Sequence, residues 1–257
     1  MLDIYQEILK ITAEGEEAAL ATIVSASHST PRGVGTKMLV KANGSIMGTI
    51  GGGNVENETI KEALNVIKTG KPKRLHFSLV PRPGEDTAMI CGGEMEVFIE
   101  PILQAPTLYL FGGGHISLAL AKIAKLVGFK VVAIDDRAEF ANPERFPEAD
   151  LVLAEDYEKA FRKLKIDKSS DIVIITTNHK SDELVLGWAL GTPGKYIGMI
   201  GSKTKFKTLS SHLLAKGITQ KQLDAVHTPI GVEIYAETPE EIAVSIMAEI
   251  IKVHRAP

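Results

Sequence analysis

Only one cysteine, Cys91, stands in a chain of 257 residues, so no intrachain disulfide can form. A chain this poor in thiols is expected in the cytoplasm rather than as a stapled secreted fold. No uncharged apolar run reaches about 18 residues, so no membrane-spanning helix is expected. The opening segment MLDIYQEILKITAEGEE lacks a basic stretch followed by an apolar one, and no secretory signal is expected there. CxxC and HExxH are both missing and the seven histidines are scattered, which argues against a closed protein-only zinc site. Charge of either sign is not in excess: 29 basic against 32 acidic residues leave a net charge of −3. Such a balance gives no general pull toward nucleic acid or an anionic membrane.

What is present is an ordinary globular composition, 44% hydrophobic and 24% charged. The first hundred residues read as a mixture of helix, strand and hairpin. Leu2, Tyr5, Ile8, Leu9 and Thr12 fall on one helical face. AALATIVSAS (18–27) is small and β-branched, as a strand requires. KMLVK (37–41) and SIMGTI (45–50) flank Ala42-Asn43-Gly44, a hairpin signal. GGGNVENETIKEALNVIKTG (51–70) opens with glycines and continues at helical spacing, and Gly70 and Pro72 close it. RLHFSLV (74–80) and EMEVFIEPI (94–102) are further strands, the second alternating Met95, Val97 and Ile99 with glutamates. After the connector Leu103–Pro106 the rhythm changes. Apolar strands at 107–111, 130–136, 150–154, 171–178 and 196–201 alternate with helical segments, the signature of βαβ units on a parallel sheet. The expected architecture is α/β, with a mixed α+β domain over 1–103 and a Rossmann-like parallel-sheet domain over 107–257.

Four clusters carry the chemistry. Phe111-Gly112-Gly113-Gly114-His115-Ile116-Ser117 follows a strand and opens a helix in the form G-x-G-x-x-S. Glycines there allow close backbone approach, and the helix start offers unpaired N–H groups to a phosphate. A side chain at Gly114 would push such an anion away. His115 either touches the ligand or caps the turn. Asp135 closes the next strand, where a carboxylate can accept from a ribose. The second cluster is Ser29–Lys37, in which Gly33 and Gly35 free the backbone and Arg32 and Lys37 supply positive charge for an anion. In the third, Gly51, Gly52 and Gly53 precede a helix with Glu56 in its first turn. The fourth sets Cys91 before Gly92 and Gly93; a thiolate there is a soft metal ligand and a sulfur acceptor. His179 and Ser202 follow later strands of the parallel sheet, at the edge where open α/β sheets bind ligands.

An ordered set of segments resembles the XdhC/CoxI family of molybdenum-hydroxylase accessory proteins. The segments are STPRGVGTKMLV (29–40), GTIGGGNVE (48–56), CGGEMEVFIEP (91–101), the long stretch LFGGGHISLALAK to PEAD (110–150), YIGMIGSKTK (196–205) and PIGVEIYAETPEEIAVSIMAEII (229–251). The resemblance implies a chaperone-like, cytoplasmic and usually dimeric protein. It would bind molybdenum cofactor, as molybdopterin or its dinucleotide form, and support its sulfuration. Delivery would be to a xanthine dehydrogenase-type apoenzyme, with a cysteine desulfurase as a further partner. The resemblance also implies that Arg32, Lys37, Gly51, Gly52, Gly53, Glu56, Cys91, Gly92, Gly93, Gly112, Gly114, His115, Asp135, His179 and Ser202 bind the cofactor, with Cys91 at its metal. Two other readings stay open: an NAD(P)-dependent oxidoreductase using the glycine turn and Asp135, with His179 as general acid, and an interaction protein whose Rossmann-like domain has lost its ligand.

Overall fold

A computed structural model describes residues 2–27, 30–79 and 93–256. The chain divides into two compact units, Met1–Gln104 and Ala105–Pro257.

The first unit holds α1 (Leu2–Glu14), β1 (Ala18–Ser27), β2 (Lys37–Lys41), β3 (Ile46–Gly48), α2 (Gly53–Thr69), β4 (Lys73–Ser78) and β5 (Glu94–Ile102). The strands form one sheet in the order β3-β2-β1-β5-β4, with every pair antiparallel. Asn43 and Gly44 do turn β2 into β3: Gly44 takes φ +81°, and Asn43 Oδ1 accepts from the Ser45 amide at 2.9 Å. Helix α2 covers one sheet face, packing Val55, Ala63 and Val66 on Ala19, Ile23, Val97 and Ile99. Helix α1 covers part of the other through Ile4 and Ile11, against Leu20 and Leu39. The start of β1 is therefore buried on both sides. The face of α1 differs from the expected one. Leu9 is 71% exposed and Tyr5 48%, because Ile4 and Ile11 define the buried stripe with Ile8 at its edge. Apolar residues are abundant enough on this helix to support either stripe.

The second unit holds β6 (Thr107–Phe111), α3 (His115–Leu126), β7 (Lys130–Asp135), β8 (Leu151–Ala154), α4 (Tyr157–Phe161) and β9 (Ser170–Ile174). It continues with α5 (His179–Ala189), β10 (Tyr196–Met199), α6 (Lys203–Ala215), α7 (Gln220–Asp224) and α8 (Pro239–Arg255). Its five strands are all parallel, in the order β10-β9-β6-β7-β8. The chain winds outward from β6 through β7 to β8, then returns to lay β9 on the other flank of β6. The winding direction reverses between β6 and β9, which is the point where such sheets open a crevice at their carboxyl edge. Helices α4, α5 and α6 cover one face and α3 and α8 the other, each over its own apolar cluster. Helix α8 starts at the expected capping box, in which Thr238 accepts from the Glu241 amide and Pro239 occupies the first turn. No helix of the described residues is long and apolar enough to cross a membrane.

Candidate functional site at the carboxyl edge of the parallel sheet

The three glycines after β6 do different work. Gly112 has φ +110°, and a Cβ on it would lie 2.0 Å from the Ile175 carbonyl oxygen. A Cβ on Gly113 would lie 2.2 Å from the Phe140 carbonyl oxygen. Both positions exclude any side chain because backbone from another loop already fills the space. Gly114 is unlike them. Its φ of −73° and ψ of −176° are open to any residue, and a Cβ there would meet nothing within 4 Å. Nothing inside the unit requires glycine at 114. The space in front of it faces the head of α3, which has no side-chain cap. The first amides of a helix have no partner within it. Ser117 explains its place in the motif: its hydroxyl donates to the Gly112 carbonyl at 2.5 Å and is fully buried. His115 is exposed at the first position of α3.

Asp135 is not placed to receive a ribose. Its side chain is buried, and each carboxylate oxygen takes two donors. Oδ1 accepts from the Arg137 amide at 3.0 Å and Arg137 Nε at 2.9 Å. Oδ2 accepts from the Gly113 amide at 2.8 Å and Arg137 Nη2 at 2.9 Å. Burial pushes its carboxyl up, but the Arg137 guanidinium and the Gly113 and Arg137 amides outweigh this and hold it below the ordinary carboxylate value. Arg137 lies over the Phe140 ring, 3.8 Å from its centroid, and Arg145 Nη2 reaches the Gly113 carbonyl at 3.2 Å. The carboxylate thus organises the turn from within. The sequence pattern signalled its position correctly. Arg137, two residues on, decides its use.

On the β9 and β10 side, the expected strands end earlier, and residues 175–178 form a loop. Asn178 caps α5 by accepting from the Ser181 amide at 2.9 Å, which leaves His179 exposed at the first position of the helix. Ser202 caps α6, accepting from the Lys205 amide at 3.2 Å, and so has a structural role of its own. A buried carboxylate joins these loops. Asp182 is fully buried; its Oδ1 accepts from Thr176 Oγ1 at 2.7 Å, and its Oδ2 lies 2.5 Å from Lys205 Nζ.

The glycine loops of the first unit also have internal reasons. Gly51, Gly52 and Gly53 adopt φ of +132°, +77° and +61°, conformations that other residues rarely take. A Cβ on Gly51 would lie 2.7 Å from Pro31 Cγ, so this turn and the loop carrying Arg32 lie against one another. Glu56 turns back onto its own turn: Oε2 accepts from Thr49 Oγ1 at 2.6 Å and from the Ile50 and Gly52 amides at 3.3 Å. Lys37 lies in β2 and donates to Thr22 Oγ1 at 3.2 Å, whereas Arg32 is exposed. Gly93 is buried, and its carbonyl accepts from the Leu79 amide at 2.8 Å. Cys91 and Gly92 lie outside the described residues. Among the described residues, no group of three or more His, Cys, Asp or Glu side chains could hold a metal ion.

Comparison with known proteins places these features in context. The XdhC and CoxI family matches residues 11–78, and the XdhC Rossmann domain matches residues 108–250. The protein YqeB of Escherichia coli (strain K12) is 37% identical over 98% of this chain and 46% of its own length. A probable xanthine dehydrogenase component of Bacillus subtilis (strain 168) is 31% identical over 62% of this chain and 46% of its own. This chain thus spans about half the length of those two relatives. The molybdenum cofactor insertion chaperone PaoD of Escherichia coli (strain K12) is 22% identical over 98% of this chain and 90% of its own. A crystal structure of a xanthine dehydrogenase from Bacillus halodurans shares the fold, with a TM-score of 0.53 at 22% identity over 98% of this chain and 95% of that one.

Proposed function

We propose that this chain, which belongs to the XdhC/CoxI family, binds molybdenum cofactor and supports its sulfuration and insertion into a xanthine dehydrogenase-type molybdenum hydroxylase. The observation that carries the reading is the open space at Gly114, ahead of the uncapped head of α3 and beside the switch point of the sheet. That place suits the phosphate of a molybdopterin, whose charge the helix N–H groups and dipole would meet. Likeness to a molybdenum cofactor insertion chaperone over nearly the whole of both chains supports the same ligand. The cofactor would bring the phosphate and the dithiolene-held metal; this chain's part is to hold the phosphate. Cys91 is proposed to serve the sulfur end, and a cysteine desulfurase and a second copy of this chain are proposed partners.

The nicotinamide reading has less support. It needs Asp135 free for a ribose, and all four of that carboxylate's hydrogen bonds are made inside the turn.

The test is calorimetric titration of the protein with purified molybdopterin under anaerobic conditions, set beside NAD and NADP. Saturable molybdopterin binding without nicotinamide binding supports the reading, and the reverse overturns it. Two substitutions extend it. Arg32→Ala removes an exposed guanidinium, so the thermal midpoint should stay unchanged. Loss of one charge-assisted hydrogen bond would cost about 1.5–3 kcal/mol, roughly a tenfold to 150-fold weaker affinity. Unchanged affinity and salt dependence would remove Arg32 from the site. Cys91→Ser should leave molybdopterin binding measurable but lower the sulfurated, active fraction of a hydroxylase matured with it. Full activity of that hydroxylase would reduce Cys91 to a packing residue.

A further inference from the structure

The pair formed by Asp182 and Lys205 is a poor stabilising device. Asp182 is fully buried and the Lys205 side chain is 19% exposed, so both charges have lost most of their water. Burying a charged pair is costly and is repaid only by good geometry. Here Asp182 Oδ2 touches the ammonium at 2.5 Å yet lacks an aligned hydrogen bond. The ammonium also contacts the Ile200 carbonyl, at 3.4 Å.

The position of the charge is unfavourable as well. Lys205 stands in the first turn of α6, which also carries Lys203 and contains no acid. A helix start is positive, so a cation there is disfavoured, and Asp182 is the carboxylate that holds Lys205 in place. The backbone is shaped to allow this arrangement. Gly201 takes φ +153°, and a Cβ on it would lie 2.8 Å from Lys205 Cδ, so the lysine stem folds back across the turn between β10 and α6.

These groups are continuous with the phosphate turn. The Cβ that Gly112 lacks would lie 3.1 Å from the Thr176 amide nitrogen, and the Thr176 hydroxyl donates to Asp182. Asp182 in turn meets Lys205. The chain of contacts runs from the glycine turn after β6, past the loop after β9, to the loop after β10, all along the carboxyl edge of one sheet. A ligand with its phosphate at the head of α3 would meet these groups where it extends over β9 and β10.

We propose that Lys205 is a ligand-binding residue whose ammonium, positioned by Asp182, donates to a second anionic group of the ligand held at the α3 head. The inference rests on the reading of the α3 head as a phosphate site. It assigns the ligand's class more narrowly: a molecule with two separated anionic or strongly accepting groups, not a lone phosphate monoester.

The experiment compares the parent with Lys205→Met, the double variant Asp182→Asn/Lys205→Met, and Gly114→Val. Thermal midpoints are measured, and molybdopterin is titrated at two salt concentrations. Lys205→Met should lower the midpoint, because it strands the buried Asp182 charge. The double variant removes both charges and should restore the midpoint. Its affinity should nonetheless stay at least tenfold below the parent's, with a weaker dependence on salt. A double variant that binds like the parent overturns the proposal and leaves the pair as a structural tie. Loss of binding in Gly114→Val alone overturns it in the same way while preserving the phosphate site. Loss with the double variant but not with Gly114→Val keeps Lys205 as a ligand contact but overturns the placing of the ligand at the α3 head. A parent that binds no molybdopterin removes both.

Discussion

Gly114→Val is expected to fold normally and to lose the ligand. The φ and ψ of residue 114 suit valine, and its Cβ would enter space with no neighbour within 4 Å. The midpoint of thermal unfolding should stay within a few degrees of the parent's. The two added methyl groups would, however, stand where an anion must approach the first amides of α3. Each charge-assisted hydrogen bond lost is worth about 1.5–3 kcal/mol, so losing two would weaken a phosphorylated ligand by at least a hundredfold. Gly112→Ala and Gly113→Ala are the controls. Their Cβ atoms would lie 2.0 Å and 2.2 Å from backbone oxygens, so both should unfold the second unit rather than spare it. Calorimetry with molybdopterin, beside circular dichroism of all three variants, checks the contrast. Parent-like affinity in a folded Gly114→Val protein would move the ligand elsewhere.

Asp135→Asn is expected to destabilise the second unit without changing which ligand form it prefers. Asparagine keeps the shape but loses the charge that Arg137 meets, and its amide nitrogen, in place of either oxygen, opposes two of the four donors. For a buried carboxylate joined to a guanidinium one third exposed, the cost should be about 2–3 kcal/mol. In a unit of this size that is roughly 5–10 °C in thermal midpoint. The pH dependence has a definite sign. The folded carboxyl titrates below its ordinary value, so its stabilisation is complete above the unfolded value of about 3.9. It is lost as pH falls through the folded value. The midpoint gap between parent and variant should therefore be full at pH 7 and close below about pH 4. Plain molybdopterin and its dinucleotide form should be weakened alike, through the displaced Gly113 amide. Selective loss of the dinucleotide form, with an unchanged midpoint, would restore the ribose role.

Much of this protein was legible along the chain because its signals are local. Apolar strands with glycine turns at their ends, alternating with helices, dictate a parallel sheet wherever both faces must be covered. Asn43-Gly44 dictates a tight turn, and Thr238-Pro239-Glu240-Glu241 dictates a helix start, since the groups that satisfy each other are neighbours in sequence. The glycine turn after β6 was visible for the same reason, together with the carboxylate at the end of β7. The short helix α7 carried its own signal in the Thr219–Gln222 capping box, which is easily passed over in a helix of five residues.

What the tertiary structure decided is the use of each group. Sequence cannot separate Gly112 and Gly113, which exclude a Cβ because Ile175 and Phe140 come from distant loops, from Gly114, which has no such neighbour. It cannot show that Asp135 is consumed by Arg137 and the Gly113 amide, or that Glu56 turns back on Thr49 and Gly52. Nor can it bring Lys205 onto Asp182, residues 23 positions apart on different helices. Spacing along the chain determines which backbone groups are left open at a turn. The partners that fill them, or leave them for a ligand, are supplied by strands and loops brought together only when the sheet forms.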